Sequence, residues 1–305
     1  MGSELTAPAW IDTPKGHDVG FNLKARGRVV RATALSGAGA LLLGLSGCSQ
    51  DLTDQFARVG LPTSASDRSH YIGDLWVGAW IASGVIGLFV LGLIFYAMFF
   101  FRRRPGNEVP RQTKYHLPME LLYTLVPLLI IGVLFFYTVH AQNGVLAKVE
   151  SPSHTINVVG QKWSWTFNYM ESGNPAVGAD VHEIGTIEKI PDLYLPVGES
   201  VRFNLTSADV IHSFWVPSFY FKLDVIPSHP NSFDMTPTIE GTFDGKCAEL
   251  CGTYHSAMIF KVHVVSQDAY NTYLKGLAEK GQIGERKAPV GANSALPAPS
   301  EEPEK

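Results

Sequence analysis

Four potential metal ligands lie close together near the end of the chain: Cys247, Cys251, His255 and Met258. Two thiolates, an imidazole and a thioether therefore fall within twelve residues. Soft sulfur ligands together with imidazole select copper or zinc over magnesium or calcium. Zinc sites usually take four Cys or His donors, whereas a weak axial Met beside Cys and His is typical of copper electron-transfer loops. The cluster therefore predicts a copper centre.

The number of cysteines in this cluster indicates more than one copper ion. A mononuclear blue-copper site uses one cysteine, so two cysteines suggest two ions bridged by both sulfurs. A further ligand must come from upstream, and His212 qualifies, 35 residues before Cys247. The alternative, a disulfide between Cys247 and Cys251 in an oxidising compartment, leaves the histidines and the methionine without a role. For other histidines, such as His229 and His263, we expect ordinary surface or core roles.

The third cysteine, Cys48, follows a segment that has the features of an export signal. Basic residues at positions 24, 26, 28 and 31 precede 14 small and apolar residues, 32–45, a stretch too short to span a bilayer but right for a signal-peptide core. The run Leu-Ser-Gly-Cys at 45–48 resembles a bacterial lipoprotein box, in which the cysteine is lipid-modified and becomes the new N-terminus. We therefore expect a signal peptide over 1–47 and an external segment over 48–74. The alternative is an ordinary signal peptide near which Cys48 merely lies.

Two uncharged runs are long enough to cross a membrane. Residues 75–101 carry no charge and, as a helix, would reach ~40 Å, more than the ~30 Å hydrocarbon core. Residues 121–139 form a second run with Pro127 inside it, which a membrane helix tolerates. The loop 102–118 holds five basic residues against one acid, Glu108, so the positive-inside rule makes it cytoplasmic. The hairpin 75–141 then places everything after residue 140 outside.

Charge is unevenly spread along the chain. Only 17% of the residues are charged and 46% are hydrophobic, which argues against a disordered chain and fits membrane segments. Residues 150–270 contain 14 acidic and 6 basic residues, a net charge of −8. An acidic domain repels nucleic acid, so that partner is excluded. It attracts a basic protein in a salt-dependent way, although solubility alone would also account for the charge.

From residue 150 onward the hydrophobic pattern has period two, as in β-strands. Aromatic residues at 163, 165, 167 and 169 alternate with other residues, and the runs 201–205 and 260–264 alternate likewise. Turn signals at 173–175, 196–198 and 244–245 separate short strands, which favours an antiparallel sandwich or barrel over 150–270. A short closing helix is predicted over 266–280. The chain after about residue 281, within 271–305, is rich in Pro, Ala, Ser and Glu and is expected to be a disordered tail.

Four segments together closely resemble subunit II of the cytochrome c oxidases. They are the aromatic stretch 160–165 (Gly-Gln-Lys-Trp-Ser-Trp), residues 207–217, the Asp-Val-Ile-Pro element at 224–227, and the loop 247–258. The resemblance extends over about 70–270, spans included. It implies a membrane-anchored all-β protein, in which a two-helix transmembrane hairpin is followed by a cupredoxin-like Greek-key β-barrel. It also implies the dinuclear copper centre CuA.

The same resemblance assigns roles to individual residues. The copper ligands would be two bridging cysteines, two histidines that each ligate one ion, a methionine and a backbone carbonyl: Cys247, Cys251, His212, His255, Met258 and Glu249. The Glu249 side chain would reach a magnesium ion at the border with subunit I. Trp163 would receive the electron beneath docked cytochrome c. Glu120, at the cytoplasmic start of the second span, matches a carboxylate near the mouth of a proton channel, although it could also be only an interfacial residue.

The implied activity is that of an oxidase subunit in the bacterial plasma membrane, with the copper domain on the outer face. It would accept electrons from cytochrome c, or a cytochrome c domain, and pass them to haem in subunit I, where oxygen is reduced with proton translocation. Subunits I and III and membrane lipid would be partners, and this chain alone contains no oxygen-reducing site.

Departures from the family pattern concern the docking surface. Gln161-Lys162 stands where the family often has His-Gln, residues 218–221 are bulkier than the usual Leu-Gly turn, and the segment 173–191 is longer than in the mitochondrial form. Two rivals do not fit this chain. Quinol oxidases lack the copper cysteines that are present here, and nitrous oxide reductase needs a second, histidine-rich copper domain that ten scattered histidines cannot supply. A copper-carrier lipoprotein outside an oxidase stays the alternative, although a carrier needs only an anchor and not a two-span hairpin.

Overall fold

The computed structural model describes residues 50–102 and 112–286. The predicted signal segment with Cys48, most of the predicted cytoplasmic loop, and the chain after 286 lie outside these described residues. Helix α1 spans Gln50–Ala57. The units that follow are two long helices and a β domain.

Two long apolar helices follow α1. Helix α2 spans Ser69–Phe100 and helix α3 spans Leu117–Val145, and both are long and apolar enough to cross a membrane. At ~1.5 Å per residue each helix is longer than the ~30 Å thickness of the hydrocarbon core. Helix α2 begins before its uncharged run, and α3 extends beyond its run at both ends. They approach closely at Gly144, where a Cβ atom would lie 2.4 Å from the ring of Tyr71. Pro127 lies inside α3 without ending it, as expected.

The β domain contains ten strands in two sheets. The strands are β1 His154–Gln161, β2 Ser164–Tyr169, β3 Val181–Ile184, β4 Asp192–Pro196, β5 Val201–Ser207, β6 His212–Val216, β7 Phe221–Val225, β8 Asn231–Met235, β9 Gly241–Cys247 and β10 Ile259–Val265. One sheet has the order β3-β2-β1-β5-β8, and the other β4-β10-β9-β6-β7. Short 3₁₀ helices span Pro217–Phe219 and His255–Ala257. Helix α4, Gln267–Glu279, closes the domain, as predicted.

The core lies between the two sheets. Trp165, Phe167 and Tyr169 on β2 belong to this core, as expected for alternate residues that face the same side of a strand. Phe214 on β6 stacks on Phe260 of β10 with ring centroids 4.9 Å apart. The period-two pattern therefore located the inward face correctly.

Pairing of the strands differs from the antiparallel arrangement that the sequence predicted. β1 pairs in parallel with β5, and β4 pairs in parallel with β10. The other strand pairs are antiparallel. Parallel neighbours need long crossover connections, and here the chain visits the opposite sheet between the two strands of each parallel pair.

Two local expectations were wrong. The predicted turn Asp244-Gly245 lies inside β9, where Gly245 faces Phe260 so closely that a Cβ atom would be 2.1 Å from the ring. This glycine makes room for an aromatic ring and does not form a turn. Trp163 precedes β2 and is only half-buried, so it is not part of the strand, although its ring packs against the core.

Helix α4 is tied to the barrel by a buried polar cluster. The hydroxyl of Tyr270 donates to Oε1 of Glu171 at 3.0 Å, and Nδ1 of His154 lies 2.6 Å from the same oxygen. Beyond the helix, His182 N–H donates to the Gln282 carbonyl, and the Arg286 N–H donates to Asn168 Oδ1. The expectation of disorder from about 281 is therefore wrong for residues 282–286, which bond to β2 and β3.

Candidate metal centre

The predicted ligands converge at one end of the β domain. His212 begins β6 and Cys247 ends β9, and these strands are neighbours because Phe214 pairs with Cys247. The loop from β9 to β10 carries Cys251, His255 and the fully buried Met258. The loop folds back because the N–H of Cys247 donates to the Met258 carbonyl at 2.9 Å. Residues 35 positions apart in the chain are thus brought to one point.

Each of the sulfur and nitrogen donor atoms of these residues lies close to another donor atom. Sγ of Cys247 lies 3.9 Å from Sγ of Cys251 and 3.9 Å from Nδ1 of His212. Sγ of Cys251 lies 3.6 Å from Nδ1 of His255 and 3.7 Å from Sδ of Met258. Donor atoms of His212, Cys247 and Cys251 all lie within 4.8 Å of one another and could hold a metal ion.

A backbone carbonyl belongs to the same group. The carbonyl oxygen of Glu249 lies 3.2 Å from Sγ of Cys247, while the Glu249 side chain is exposed to solvent. The carbonyl and the carboxylate therefore point to different surroundings, one to the sulfur cluster and one outward. The residues present fit a centre of two thiolates, two imidazoles, a thioether and a carbonyl. Such soft donors suit copper.

The two thiols titrate differently, although both are free and buried. Burial raises the pKa of Cys247, but its contact with His212 and the backbone contacts of Glu249 and Ser213 together outweigh burial and hold that pKa below the usual range. Burial, followed by the neighbouring charge of Cys247, raises the pKa of Cys251. Cys247 is therefore the more readily ionised sulfur. Since metals bind thiolates, metal binding releases the remaining proton.

Asp209 orients one of the imidazoles, a role that the sequence analysis did not assign. Nε2–H of the buried His212 donates to Oδ1 of Asp209 at 2.8 Å, and Nδ1 is left facing Cys247. Burial lowers the pKa of His212, but its hydrogen bonds and charge interactions with Asp209 and Cys247 together outweigh burial and raise that pKa. The i, i+3 spacing of the carboxylate and the histidine was the available signal, because ligating histidines usually donate their second N–H to such a partner.

Two glycines allow close approach around the centre. A Cβ atom on Gly160 would lie 3.1 Å from the ring of His212, so strand β1 can pass directly beside this ligand. Gly252 has a φ of +122° and would place a Cβ atom 3.0 Å from the ring of Trp163. Both positions explain why small residues occur beside the ligands.

Trp163 lies against the metal loop. Its Nε1–H donates to the carbonyl oxygen of Cys251 at 3.1 Å. One hydrogen bond therefore connects the indole to the backbone of a candidate ligand. Oδ2 of Asp209 accepts from the N–H of Lys162 at 2.7 Å. The carboxylate that orients His212 therefore also fixes the backbone beside Trp163.

Glu120 lies far along the chain from this cluster, in the first turn of α3. Its Oε1 accepts a hydrogen bond from the N–H of His116 at 3.0 Å, while Nδ1 of His116 accepts from the N–H of Met119 at 3.3 Å. These reciprocal bonds cap the helix.

His263, expected to have an ordinary role, bonds to Asp192 on the surface at 2.8 Å.

The fold and the donor set define a class: a membrane-anchored, cupredoxin-like protein with a sulfur-rich metal centre. A family model described as cytochrome C oxidase subunit II, periplasmic domain, matches residues 154–265. A protein of Streptomyces avermitilis, named a probable cytochrome c oxidase subunit 2, is 43% identical over 89% of this chain and 93% of its own length. The cytochrome c oxidase subunit 2 of Mycobacterium tuberculosis is 36% identical over 81% of this chain and 82% of its own.

A solved structure is also similar. The periplasmic domain of subunit II of cytochrome oxidase (CoxB) of Bradyrhizobium japonicum is 28% identical, with a TM-score of 0.38, and the match covers 44% of this chain and 99% of that chain. On the strength of the sequence relatives, the chain belongs to the cytochrome c oxidase subunit II family.

Membership and the cluster together indicate a copper site in an oxidoreductase that has further subunits and takes electrons from cytochrome c. Two apolar helices indicate that the β domain is anchored to a membrane on its periplasmic side.

Proposed function

We propose that this chain holds two copper ions between Cys247 and Cys251 and relays electrons from cytochrome c to haem in subunit I. The observation that carries the proposal is the convergence of two sulfurs, two imidazoles, a thioether and a carbonyl at neighbouring distances of 3.2–3.9 Å. His212 and His255 would each ligate one ion, and Met258 and the Glu249 carbonyl would complete the site.

Bound copper would supply one-electron redox chemistry, and the protein would keep its surroundings rigid. Met258 is fully buried, and both cysteines are almost fully buried, so the donors exclude water. Strands β6 and β9 and the backbone bonds of the loop hold the donors from two sides. A scaffold that does not rearrange lowers the cost of each electron transfer, as preorganised sites do in general.

Trp163 would be the point at which electrons reach this centre. The proposal is supported by its half-buried ring and its hydrogen bond to the Cys251 carbonyl. The net charge of −8 on residues 150–270 supports a basic donor protein, which such a charge would attract over distance. The donor is cytochrome c or a cytochrome c domain.

The remaining assignments follow from the position of each group. The helices α2 and α3 would cross the plasma membrane twice and pack against subunit I, with subunit III and lipid as further neighbours and the copper domain on the outer face. The exposed Glu249 carboxylate would reach a magnesium ion at the border with subunit I. A lipid on Cys48, exposed by removal of 1–47, would add an anchor, and Glu120 would lie on a path for translocated protons.

The test is Cys247→Ser in the purified oxidase complex, with Ser256→Ala, an exposed position on the same loop, as the matched control. We expect the serine variant to assemble with subunit I but to lose both the near-infrared copper absorption and the oxidation of cytochrome c. The control should retain both properties. A Cys247→Ser complex that still oxidises cytochrome c at the normal rate would contradict the proposed relay.

A further inference from the structure

A second aromatic ring lies beside Trp163 on the surface of the metal loop. Tyr254 packs edge to face on Trp163, with ring centroids 5.0 Å apart and planes at 75°. Tyr254 lies in the loop between Cys251 and His255 and is 45% exposed. Edge-to-face geometry is the favoured arrangement of aromatic pairs, so the two rings form one surface, which we call the ring pair.

Contacts on two sides fix the position of Trp163 within the ring pair. Its ring lies against Gly252, where even a Cβ atom would come within 3.0 Å, and its N–H is bonded to the Cys251 carbonyl. These contacts hold the indole towards the loop. Tyr254, on the same loop, packs against the ring as well.

A purely structural role does not account for Tyr254. Nearly half of its surface is exposed, and among residues 50–102 and 112–286 its hydroxyl has no hydrogen-bond partner. The core of the domain lies between the sheets and does not include this ring. Tyr and Trp are enriched among the side chains that carry most of the binding energy at protein interfaces.

We propose that Tyr254 and Trp163 together form the contact surface for the electron donor, a haem protein that presents an apolar haem edge. This inference rests on the proposed function, because it needs Trp163 to receive the electron. In that step the ferrous haem iron of the donor becomes ferric, and one electron passes to the copper site. No bond is broken and no proton has to move. Tyr254 contributes affinity for the donor through the area of its ring.

The test compares three variants of the complete oxidase complex: Tyr254→Ala, Tyr254→Phe and the control Thr253→Ala, which alters the preceding exposed residue. KM and kcat are measured with cytochrome c. Binding is measured separately with zinc-substituted cytochrome c, a probe that transfers no electron in the dark. Near-infrared absorption reports whether the copper site is intact.

Removal of the ring should raise both KM and the Kd of the zinc probe about five- to tenfold, the range of an interface contact worth about 1 kcal/mol or more. We expect kcat to stay within about twofold and the absorption to be unchanged. Tyr254→Phe should behave as wild type because it keeps the ring, and so should Thr253→Ala.

Three results would overturn the proposal. One is a Tyr254→Ala complex with normal KM and Kd. Another is a phenylalanine variant as impaired as the alanine variant, since the hydroxyl and not the ring would then be needed. The third is an altered copper absorption in Tyr254→Ala, which would make the residue a structural part of the loop. Failure of the proposed function looks different: the wild-type complex itself would not oxidise cytochrome c, or Trp163→Ala would leave turnover unchanged.

Discussion

The imidazole of His212 is held between Asp209 and Cys247: Nε2–H donates to Oδ1 of Asp209 at 2.8 Å, and Nδ1 lies 3.9 Å from Sγ of Cys247. One carboxylate therefore selects which nitrogen faces the cysteine. The same carboxylate accepts from the backbone N–H of Lys162. His212 and the segment that carries Trp163 are thus positioned together.

Replacing Asp209 should weaken metal binding without removing a ligand. We expect Asp209→Ala to lower copper affinity about 10- to 100-fold, the usual effect of losing a group that orients a ligating histidine. Asp209→Asn, which keeps a hydrogen-bonding oxygen at the same place, should lose less. Competition with a copper chelator, using the full-length chain in detergent, measures the affinity. Equal affinities for the alanine variant and wild type would show that His212 needs no such support.

Glycine at 245 should be required for packing. Gly245→Ala would place a methyl group 2.1 Å from the ring of Phe260, and overpacking of this kind costs about 1–3 kcal/mol of unfolding free energy. Gly276 is the matched control, because it lies inside α4 with nothing within 4 Å of its Cβ position. Gly276→Ala should be neutral or stabilise by up to about 1 kcal/mol. Thermal unfolding distinguishes the two, and equal melting temperatures would refute this account of Gly245.

Stability should fall in acid because of Asp234. This fully buried carboxylate accepts two hydrogen bonds from Arg202, at 2.9 and 2.8 Å, and one from the N–H of Val149 at 2.7 Å. Burial raises the pKa of Asp234, but these contacts outweigh burial and hold it below its ordinary value. A pKa lowered by folding stabilises the folded state above the unfolded pKa, about 3.9. That stability is lost as the pH falls below this value through the folded pKa.

Asp234→Asn should therefore cost roughly 3 kcal/mol at neutral pH, as when one partner of a buried charge pair is removed, and its stability should depend less on pH below about 4. Asp244→Asn is the control, since Asp244 pairs with Lys261 on the surface and is 78% exposed. Exposed pairs contribute about 0–1 kcal/mol. Denaturant unfolding at several pH values provides the comparison. A similar loss in both variants would mean that burial of Asp234 has no particular importance.

Glu120 can be tested for two roles at once. Its hydrogen bond to the His116 N–H caps helix α3, and this bond needs an oxygen but no charge. Glu120→Gln keeps the oxygen, so the cap should persist and the complex should assemble normally. Glu120→Ala removes the oxygen and should weaken the cap by about 1 kcal/mol. If the carboxyl group also conducts protons, turnover of the glutamine variant falls. Normal turnover and proton translocation in Glu120→Gln would leave only the cap.

Much of the fold could be predicted from the sequence because the signals were local. Two uncharged runs identified α2 and α3, and alternation identified the inward faces of β2, β5 and β10. The convergence of the candidate ligands could be predicted because four of them lie within twelve residues. What the sequence did not show depends on contacts between distant residues. Parallel pairing, the buried Glu171–Tyr270 contact across 99 positions, and the fit of Gly245 against Phe260 have no signature in the segments concerned.

The site shows the same division. Soft ligands at short spacing predicted the copper centre, but Tyr254 had no signal of its own, because its importance comes from the position of Trp163, 91 residues earlier in the chain. Trp163 itself was expected inside a strand, since its aromatic neighbours alternate. The structure places it just before β2, where it can reach the Cys251 carbonyl.

The central claim is that both cysteines hold one dinuclear copper site. The most direct measurement is the electron paramagnetic resonance spectrum of the full-length chain loaded with copper, together with its copper content. We predict two copper ions per chain and a hyperfine pattern in which one unpaired electron is shared by two copper nuclei. A single copper per chain, with hyperfine splitting from one nucleus, would contradict the account.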